Sequence, residues 1–413
     1  MKKFVFLFLL TISLLTISNI NASEFSIHSK NALLYNVEEN TIMYQKNPDE
    51  RAQIASLTKV LTTLTILDKK PDLNKKIKMS TNVDYDFLKK KDLALSSLDK
   101  DKEYTYRDLL YSFIMESAAD CGYALAIDSS GSTEKFVSDM NVEKEKLGMD
   151  NSHFSNPVGL DDKDNYSTMT DVLILMKAAL KNDELKSMMS TFTYRAEDNT
   201  KLVHSLAPYV NKNTKNKIAK GLYMDYLKGG KTGTENIPGH ALMSYANKNG
   251  STYIFVTTNA KDDVTYPEHV EDAKTVYSYY FNTYGYKKLV RKDFVLDSLK
   301  TKYAKENKVV LKSPEDINYF TDKTFDESKV VLKYNGVRTV TPKYKKGDKL
   351  GNCYVYYDNN LIKTIPVSMP ITLHMSFTDF IQFNKYLIIA IICYLFIIIA
   401  TIIIVRNIKK KKA

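Results

Sequence analysis

The chain of 413 residues has little of what staples small folds or holds metals: three cysteines and six histidines. Cys121, Cys353 and Cys393 have no close spacing, and Cys393 lies inside a long apolar run. That pattern argues against a disulfide framework and against a zinc site, so the fold must hold together by its core. His153, His204 and His240 offer no pair at metal-ligand spacing and read as structural residues; no metal and no other cofactor is expected. Internal repeats are absent, and so is low complexity outside a basic tail. A broad excess of one charge is missing too. Of the formal +11, Lys2, Lys3, Arg406 and Lys409 to Lys412 supply seven, which leaves +4 for residues 23–405. No nucleic-acid partner is expected, because the charges that raise the pI mark topology instead.

What is present begins with two addresses. Lys2 and Lys3 precede an apolar run from Phe4 to Ile17 and a polar exit closing on Ala22. This is the plan of a secretory signal peptide over residues 1–22. Near the other end, Tyr386 to Val405 is uninterrupted apolar sequence followed at once by RNIKKKKA. Its length suits a hydrocarbon core of about 30 Å. The cationic tail, 406–413, marks the cytoplasmic side. The expectation is a single-pass protein of the cell membrane, in contact with membrane lipid, with its bulk outside the cytoplasm.

Between these addresses, "NALLYNVEENTIMYQKN" predicts a hairpin with a Glu-Glu-Asn-Thr turn. Leu57, Val60, Leu61, Leu64 and Leu67 recur on a helical period. Further helical patterns run around Tyr106 to Ile127 and Thr133 to Leu147, and another begins near Thr168, with Thr168 and Asp171 placed as a capping box. Late in the chain, Asn249-Gly250 between strand-like runs signals a second hairpin. An amphipathic run from Glu268 to Tyr284 follows it. Helices between an early hairpin and late strands imply an α/β (α+β) domain with an antiparallel sheet flanked by helices, over 23–286. Residues 287–369 read as a small all-β domain, 370–385 as a juxtamembrane linker and 386–405 as a transmembrane helix.

The chemistry rests on Ser56 and Lys59 in "RAQIASLTKVLTTLTILDKK". Ser-x-x-Lys alone is weak, since it also occurs at Ser97/Lys100 and Ser132/Lys135. A serine nucleophile needs a base, and a lysine serves only with a lowered pKa, which requires burial or a second cation. On a helix, residues three apart share a face, so Ser56 and Lys59 can touch. The chain also supplies a second lysine and a relay hydroxyl: Lys231-Thr232-Gly233 in "GGKTGT", and Ser117 in "IMESAADCGYALA". Gly233 would let a substrate backbone approach the strand closely. The order of the three motifs in an exported protein is far more specific than any one of them.

On "NPDERAQIASLTKVLT", "ESAADCGYALA", "HFSNPVGLDDKDNYST" and "GGKTGT", the sequence resembles the penicillin-binding D-alanyl-D-alanine carboxypeptidases from about Ser23 to Met369. The resemblance implies the penicillin-binding, serine β-lactamase-like transpeptidase fold and a serine carboxypeptidase. Its partners would be peptidoglycan stem peptides ending in D-Ala-D-Ala, with β-lactams as inhibitors trapped on the same serine. It makes Ser56 the nucleophile and Lys59 its base, with Ser117 and Lys231 relaying the proton to the leaving D-alanine. The amides of Ser56 and Thr234 would form the oxyanion hole, while Thr232 and Thr234, on either side of Gly233, would hold the terminal carboxylate.

The sequence departs from that pattern at Ala119, where the family's middle motif usually carries asparagine. Losing that side chain would cost roughly 1–3 kcal/mol if a buried group were left unpaired, unless Asp120 or a water substitutes. No arginine follows Thr234 until Arg291, so a cation assisting Lys231 is not visible. The loop Asn156 to Asp162 reads as turn chemistry bordering the cleft. Ser117 could instead cap a helix, and Cys121 would pack as a small hydrophobe. A transpeptidase or endopeptidase shares these motifs. A β-lactamase fits poorly, because no Glu-x-x-Leu-Asn element is seen. The competing reading from another class is a weak or inactive, membrane-tethered peptidoglycan- or β-lactam-binding protein, supported by Ala119 alone.

Overall fold

The computed structural model describes residues 25–235, 239–260 and 266–412. The expected signal peptide and Ala413 lie outside the described residues. The chain forms two compact units, one ending at Asn282 and the other beginning at Thr283.

In the first unit, β1 (Asn31–Asn36) and β2 (Thr41–Lys46) make the early hairpin. Its turn is Val37 to Asn40, one residue earlier than the sequence suggested, with Asn40 at a φ of 51°. β3 (Leu227–Glu235), β4 (Gly239–Lys248) and β5 (Ser251–Ala260) complete an antiparallel sheet of order β2-β1-β5-β4-β3. Asn249 and Gly250 join β4 to β5 at φ of 53° and 82°. Those two left-handed residues are what a type I′ hairpin turn requires.

The principal helices are α1 (Thr58–Asp68), α2 (Tyr106–Met115), α3 (Ala119–Ser130), α4 (Thr133–Leu147), α5 (Met169–Lys181), α6 (Asp183–Ser190) and α7 (Glu268–Thr283). Alternation along β4 and β5 serves both faces of the sheet. Met243, Tyr245, Ile254 and Val256 join the helical core, while Ser244 and Phe255 meet Tyr277 of α7. Helix α1 is buried from Thr58 to Ile66, so it is a central helix and not the one-faced helix that its leucines suggested. Three of its four threonines tolerate this because their hydroxyls find acceptors: Thr62 on the Pro157 carbonyl (2.6 Å), and Thr63 on the Lys59 carbonyl and Thr65 on the Leu61 carbonyl, both at 2.9 Å; the Thr58 hydroxyl is buried without a partner among the described residues.

The pattern from Tyr106 to Ile127 is two helices, not one. α2 ends at Met115, α3 begins at Ala119, and Ser117 sits between them at a φ of 62°. Ser117 does not cap α3; the cap position is Ala118, with no side-chain bond. At α5 only half of the expected capping box forms. Thr168 accepts from the Asp171 amide (3.1 Å), while the Asp171 carboxylate binds Asn151 N and Ser152 Oγ instead.

The second unit carries short strands from Tyr284 to Ser368 around a core that includes Leu299, Leu311, Cys353, Val355 and Ile365. A helix from Lys385 to Lys412 closes the chain. Its stretch Lys385–Ile408 is long and apolar enough to cross a membrane, with its side chains exposed.

Candidate active site

Four segments distant in sequence meet at one cleft of about 290 Å³. Ser56 lies in a 3-10 turn, Ala55–Leu57, which leads straight into α1 and puts Lys59 one turn further on. Ala55 holds a φ of 49°, a left-handed conformation that costs an alanine about 1–2 kcal/mol. Two glycines make room for it. A Cβ on Gly159 would stand 1.9 Å from the Ala55 carbonyl oxygen, and one on Gly233 would stand 2.9 Å from the Ala55 Cβ and 3.1 Å from Ser56 N. Thus Gly233 lets strand β3 approach the Ser56 backbone, while Gly159, at a φ of 84°, lets the 156–160 loop approach that of Ala55.

Hydrogen bonds connect the four side chains singled out for catalysis. Lys59 Nζ lies 2.7 Å from Ser56 Oγ, Ser117 Oγ 2.9 Å from Ser56 Oγ, and Lys231 Nζ 3.0 Å from Ser117 Oγ. The break between α2 and α3 is what turns Ser117 into the cleft. Lys231 sits mid-strand in β3, not at the strand's start as the sequence suggested, and also donates to the Thr232 carbonyl (2.6 Å). Ser56 is 8% exposed, Lys59 2% and Lys231 fully buried. Burial, reinforced by the Lys59 charge, holds the Lys231 ammonium well below its ordinary pKa. The hydrogen-bonded series therefore ends in an amine that gives up its proton readily.

The remaining expected residues lie close by. Thr232 and Thr234 line the cleft with Ser117 and Ala119. Thr232 Oγ1 bonds Ser205 Oγ (2.8 Å), and Thr234 Oγ1 is 3.2 Å from His240 Nδ1. Asp120 does not replace the missing asparagine: its carboxylate accepts from Ser96 N and Cys121 N, both 3.0 Å, and faces away from the cleft lining. Cys121 packs in the core beside Met79, and burial pushes its thiol well up. His204 is structural. Burial, helped by the Lys231 charge, lowers its pKa to about 3. As a neutral ring, it donates from Nε2 to the Gly230 carbonyl (3.1 Å) and accepts at Nδ1 from Leu206 N (3.0 Å), fixing the strand that carries Lys231. His153 bonds the Asp164 carbonyl.

Sequence reasoning missed several parts of the site. The Val158 carbonyl accepts a second bond from Lys59 Nζ (2.6 Å). That carbonyl is aimed by Asn156, whose Oδ1 accepts from the amides of Gly159 (2.8 Å) and Leu160 (2.9 Å). The Asn-Pro-x-Gly spelling signals a turn at the border of the cleft, but not that its backbone holds Lys59. Lys91 and Asp92 line the cleft from a loop, and Lys91 adds a cation where the sequence shows no arginine. Ser205 gave no sequence signal at all.

Comparison with known proteins sharpens the reading of this geometry. Residues 18–262 match the Peptidase_S11 family, described as D-alanyl-D-alanine carboxypeptidase. The chain belongs to that family. Residues 284–371 match the C-terminal domain of penicillin-binding protein 5. Among relatives, D-alanyl-D-alanine carboxypeptidase DacF of Bacillus subtilis is 28% identical over 353 residues, covering 84% of this chain and 86% of its own. D-alanyl-D-alanine endopeptidase of Escherichia coli is likewise 28% identical, over 61% of this chain and 77% of its own. A solved structure of PBP3 from Streptococcus pneumoniae, described as a peptidoglycan synthesis regulatory factor, superposes with a TM-score of 0.61 at 19% identity. It covers 85% of this chain and 100% of that one, and the likeness establishes the fold. This D-alanyl-D-alanine carboxypeptidase family member is thus a serine-type DD-peptidase with the penicillin-binding fold, an all-β C-terminal domain and a terminal apolar helix.

Proposed function

We propose that the chain removes the terminal D-alanine from peptidoglycan stem peptides through an acyl-enzyme on Ser56. The hydrogen-bonded series Lys59, Ser56, Ser117, Lys231 carries this reading. A neutral Lys59 amine can donate to the Val158 carbonyl and still turn its lone pair on Ser56 Oγ, which is the arrangement a general base needs. The Ser56 oxygen attacks the carbonyl between the two D-alanines, and its proton passes to Lys59. Ser117 and Lys231 deliver a proton to the departing D-alanine nitrogen, and water later releases the shortened peptide. Support for an oxyanion hole at the Ser56 and Thr234 amides comes from the close approach of β3 to the Ser56 backbone at Gly233. The Thr232 and Thr234 hydroxyls, beside the Lys231 charge, suit the terminal carboxylate. β-Lactams would acylate the same serine.

The domain boundaries at 23–286 and 287–369 belong to this proposal, as do membrane contact through 386–405 and an extracytoplasmic catalytic unit. The test uses the full chain in neutral-lipid nanodiscs. Benzylpenicillin should add its whole mass to the protein at Ser56, and a peptide ending in D-Ala-D-Ala should yield free D-alanine. A folded protein that gives neither would remove the catalytic reading.

Ala119 sets the expected rate. It lines the cleft with a methyl group where the family's middle motif usually carries an amide, and its neighbour Asp120 is turned to Ser96 and Cys121. Ala119→Asn should raise kcat/KM for D-alanine release about tenfold, the equivalent of ~1.4 kcal/mol of restored contact. An unchanged or lower kcat/KM in a variant that still binds penicillin would show that the cleft does without that contact.

A further inference from the structure

A second cavity of about 870 Å³, larger than the catalytic cleft, lies between the sheet and helices α5 and α6. It sits toward the other end of the β3–β4 pair. Tyr245, in its wall, pairs with Gly229, whereas Thr234 of the cleft pairs with His240. Five residues of strand separate the two, roughly 17 Å. Helix α6 seats directly on β3 beside it, since a Cβ on Gly229 would stand 2.4 Å from the Met189 carbonyl oxygen.

The cavity has two chemical zones. Its inner wall is apolar, with Leu180, Ile254 and the rings of Tyr35 and Tyr245, and exposed Val37 extends the carbon surface at the edge. The tyrosine hydroxyls are already engaged, Tyr35 by Asn40 and by Lys177 Nζ (3.1 Å), and Tyr245 by Ser190 (2.7 Å). What these rings offer a ligand is carbon. The rim is cationic. Lys177 and Lys181 come from α5, Lys186 from α6 and Lys228 from β3. None of the lining residues is acidic, and none of the four lysines is ion-paired among the described residues. Glu38, on the β1–β2 turn, brings one carboxylate to the edge of the cavity, where it accepts from the amide of the lining residue Thr252 (2.6 Å), so four positive charges stand against one negative.

Lys177 Nζ already rests over the Tyr35 ring, 4.5 Å from its centroid, but none of the four ammonium groups has an anionic partner among the described residues, and like charges gathered at one opening favour an anion among them. An apolar wall stays unfavourably hydrated until carbon covers it. We infer that this cavity binds an anionic amphiphile of the single-chain phospholipid type, with hydrocarbon on that wall and phosphate among the lysines. The volume lies in the range of pockets that enclose ligands of this size. A free phosphate would leave that wall wet, and a neutral amphiphile would leave the lysines uncompensated. The inference stands apart from the catalytic reading, because none of these residues lines the cleft.

The chain contains no tryptophan, so Leu180→Trp supplies a single reporter in the cavity. The full chain, in phosphatidylcholine nanodiscs, is titrated with lysophosphatidylglycerol, lysophosphatidylcholine or inorganic phosphate. A saturable emission shift with lysophosphatidylglycerol is expected, with apparent affinity at least tenfold weaker for lysophosphatidylcholine and no shift with phosphate. Adding Lys177→Gln, Lys181→Gln, Lys186→Gln and Lys228→Gln together should weaken the response at least tenfold while leaving D-alanine release unchanged. Equal responses to both lysolipids, or an unaltered response in the lysine variant, would overturn the inference; so would a response to phosphate alone. Native mass spectrometry of the unsubstituted chain guards against a tryptophan that fills the cavity. There, no excess of bound lysophosphatidylglycerol over lysophosphatidylcholine would overturn it as well.

Discussion

Ser56→Ala should give a folded protein that no longer gains mass with benzylpenicillin and releases D-alanine at least about 10⁴-fold more slowly. The substitution removes one oxygen and leaves Lys59, Ser117 and Lys231 in place, so any loss reports chemistry. Ser117→Ala is the informative partner. Its hydroxyl lies 2.9 Å from Ser56 Oγ, near enough for either serine to be imagined as the nucleophile. Under the proposed mechanism, Ser117→Ala still acquires the penicilloyl group on Ser56, only slowly, because the relay and not the attack has been damaged. Adduct retained by Ser56→Ala and lost from Ser117→Ala would reverse the two roles.

A comparably large effect is expected at the base. Lys59→Met should lower the acylation rate about 10³-fold, the usual contribution of a positioned general base. The side chain is similar in length and apolar, so the buried space stays filled, but the Val158 carbonyl loses its donor. A second consequence follows from electrostatics. The Lys59 charge adds to burial in depressing the Lys231 pKa. With that charge gone, Lys231 should hold its proton more tightly than it does beside a protonated Lys59, so any limb of the pH–rate profile that reflects Lys231 ionisation with Lys59 still charged should move to higher pH. Stopped-flow acylation by a chromogenic β-lactam across pH, with circular dichroism as the check on folding, measures both. A variant retaining more than a tenth of the rate would take the base role away from Lys59.

These residues were legible in sequence because the chemistry names them: Ser56, Lys59, Ser117 and Lys231 are the groups a serine–lysine mechanism needs, and their order restricted the choice. The hairpin at Asn249-Gly250 was legible for a backbone reason, since few dipeptides accept two left-handed residues. Other features depend on tertiary contact. The split between α2 and α3 was hidden because "ESAADCG" is compatible with a helix, and only packing imposes the φ of 62° at Ser117. The full burial of α1 was hidden because threonine counts as polar until its hydroxyl is seen bonding a carbonyl within the helix or beyond it. The Val158 carbonyl could not be found by searching for reactive side chains, because it is backbone, and Lys91 and Asp92 reach the cleft from a loop without periodicity. Asp120 illustrates the opposite error: adjacency to Ala119 made it a substitute on paper, whereas the helical turn points it to Ser96 and Cys121.

The position of β1 in the sheet constrains the order in which the protein can assemble. β1 pairs on one side with its hairpin partner and on the other with β5, whose residues lie more than 200 positions later in the chain. At a synthesis rate of about 5–20 residues per second, β1 waits on the order of ten seconds or more for the strand that completes its hydrogen bonding. α1 packs on neighbouring helices, but the turn that carries Ser56 packs on β3 and β4, so the cleft is complete only once those late strands are in place. Such non-local pairing slows folding. The newborn polypeptide therefore acquires its shape late, and a fragment cut short before residue 251 would carry every motif of the nucleophile and its base without the sheet that brings them to life.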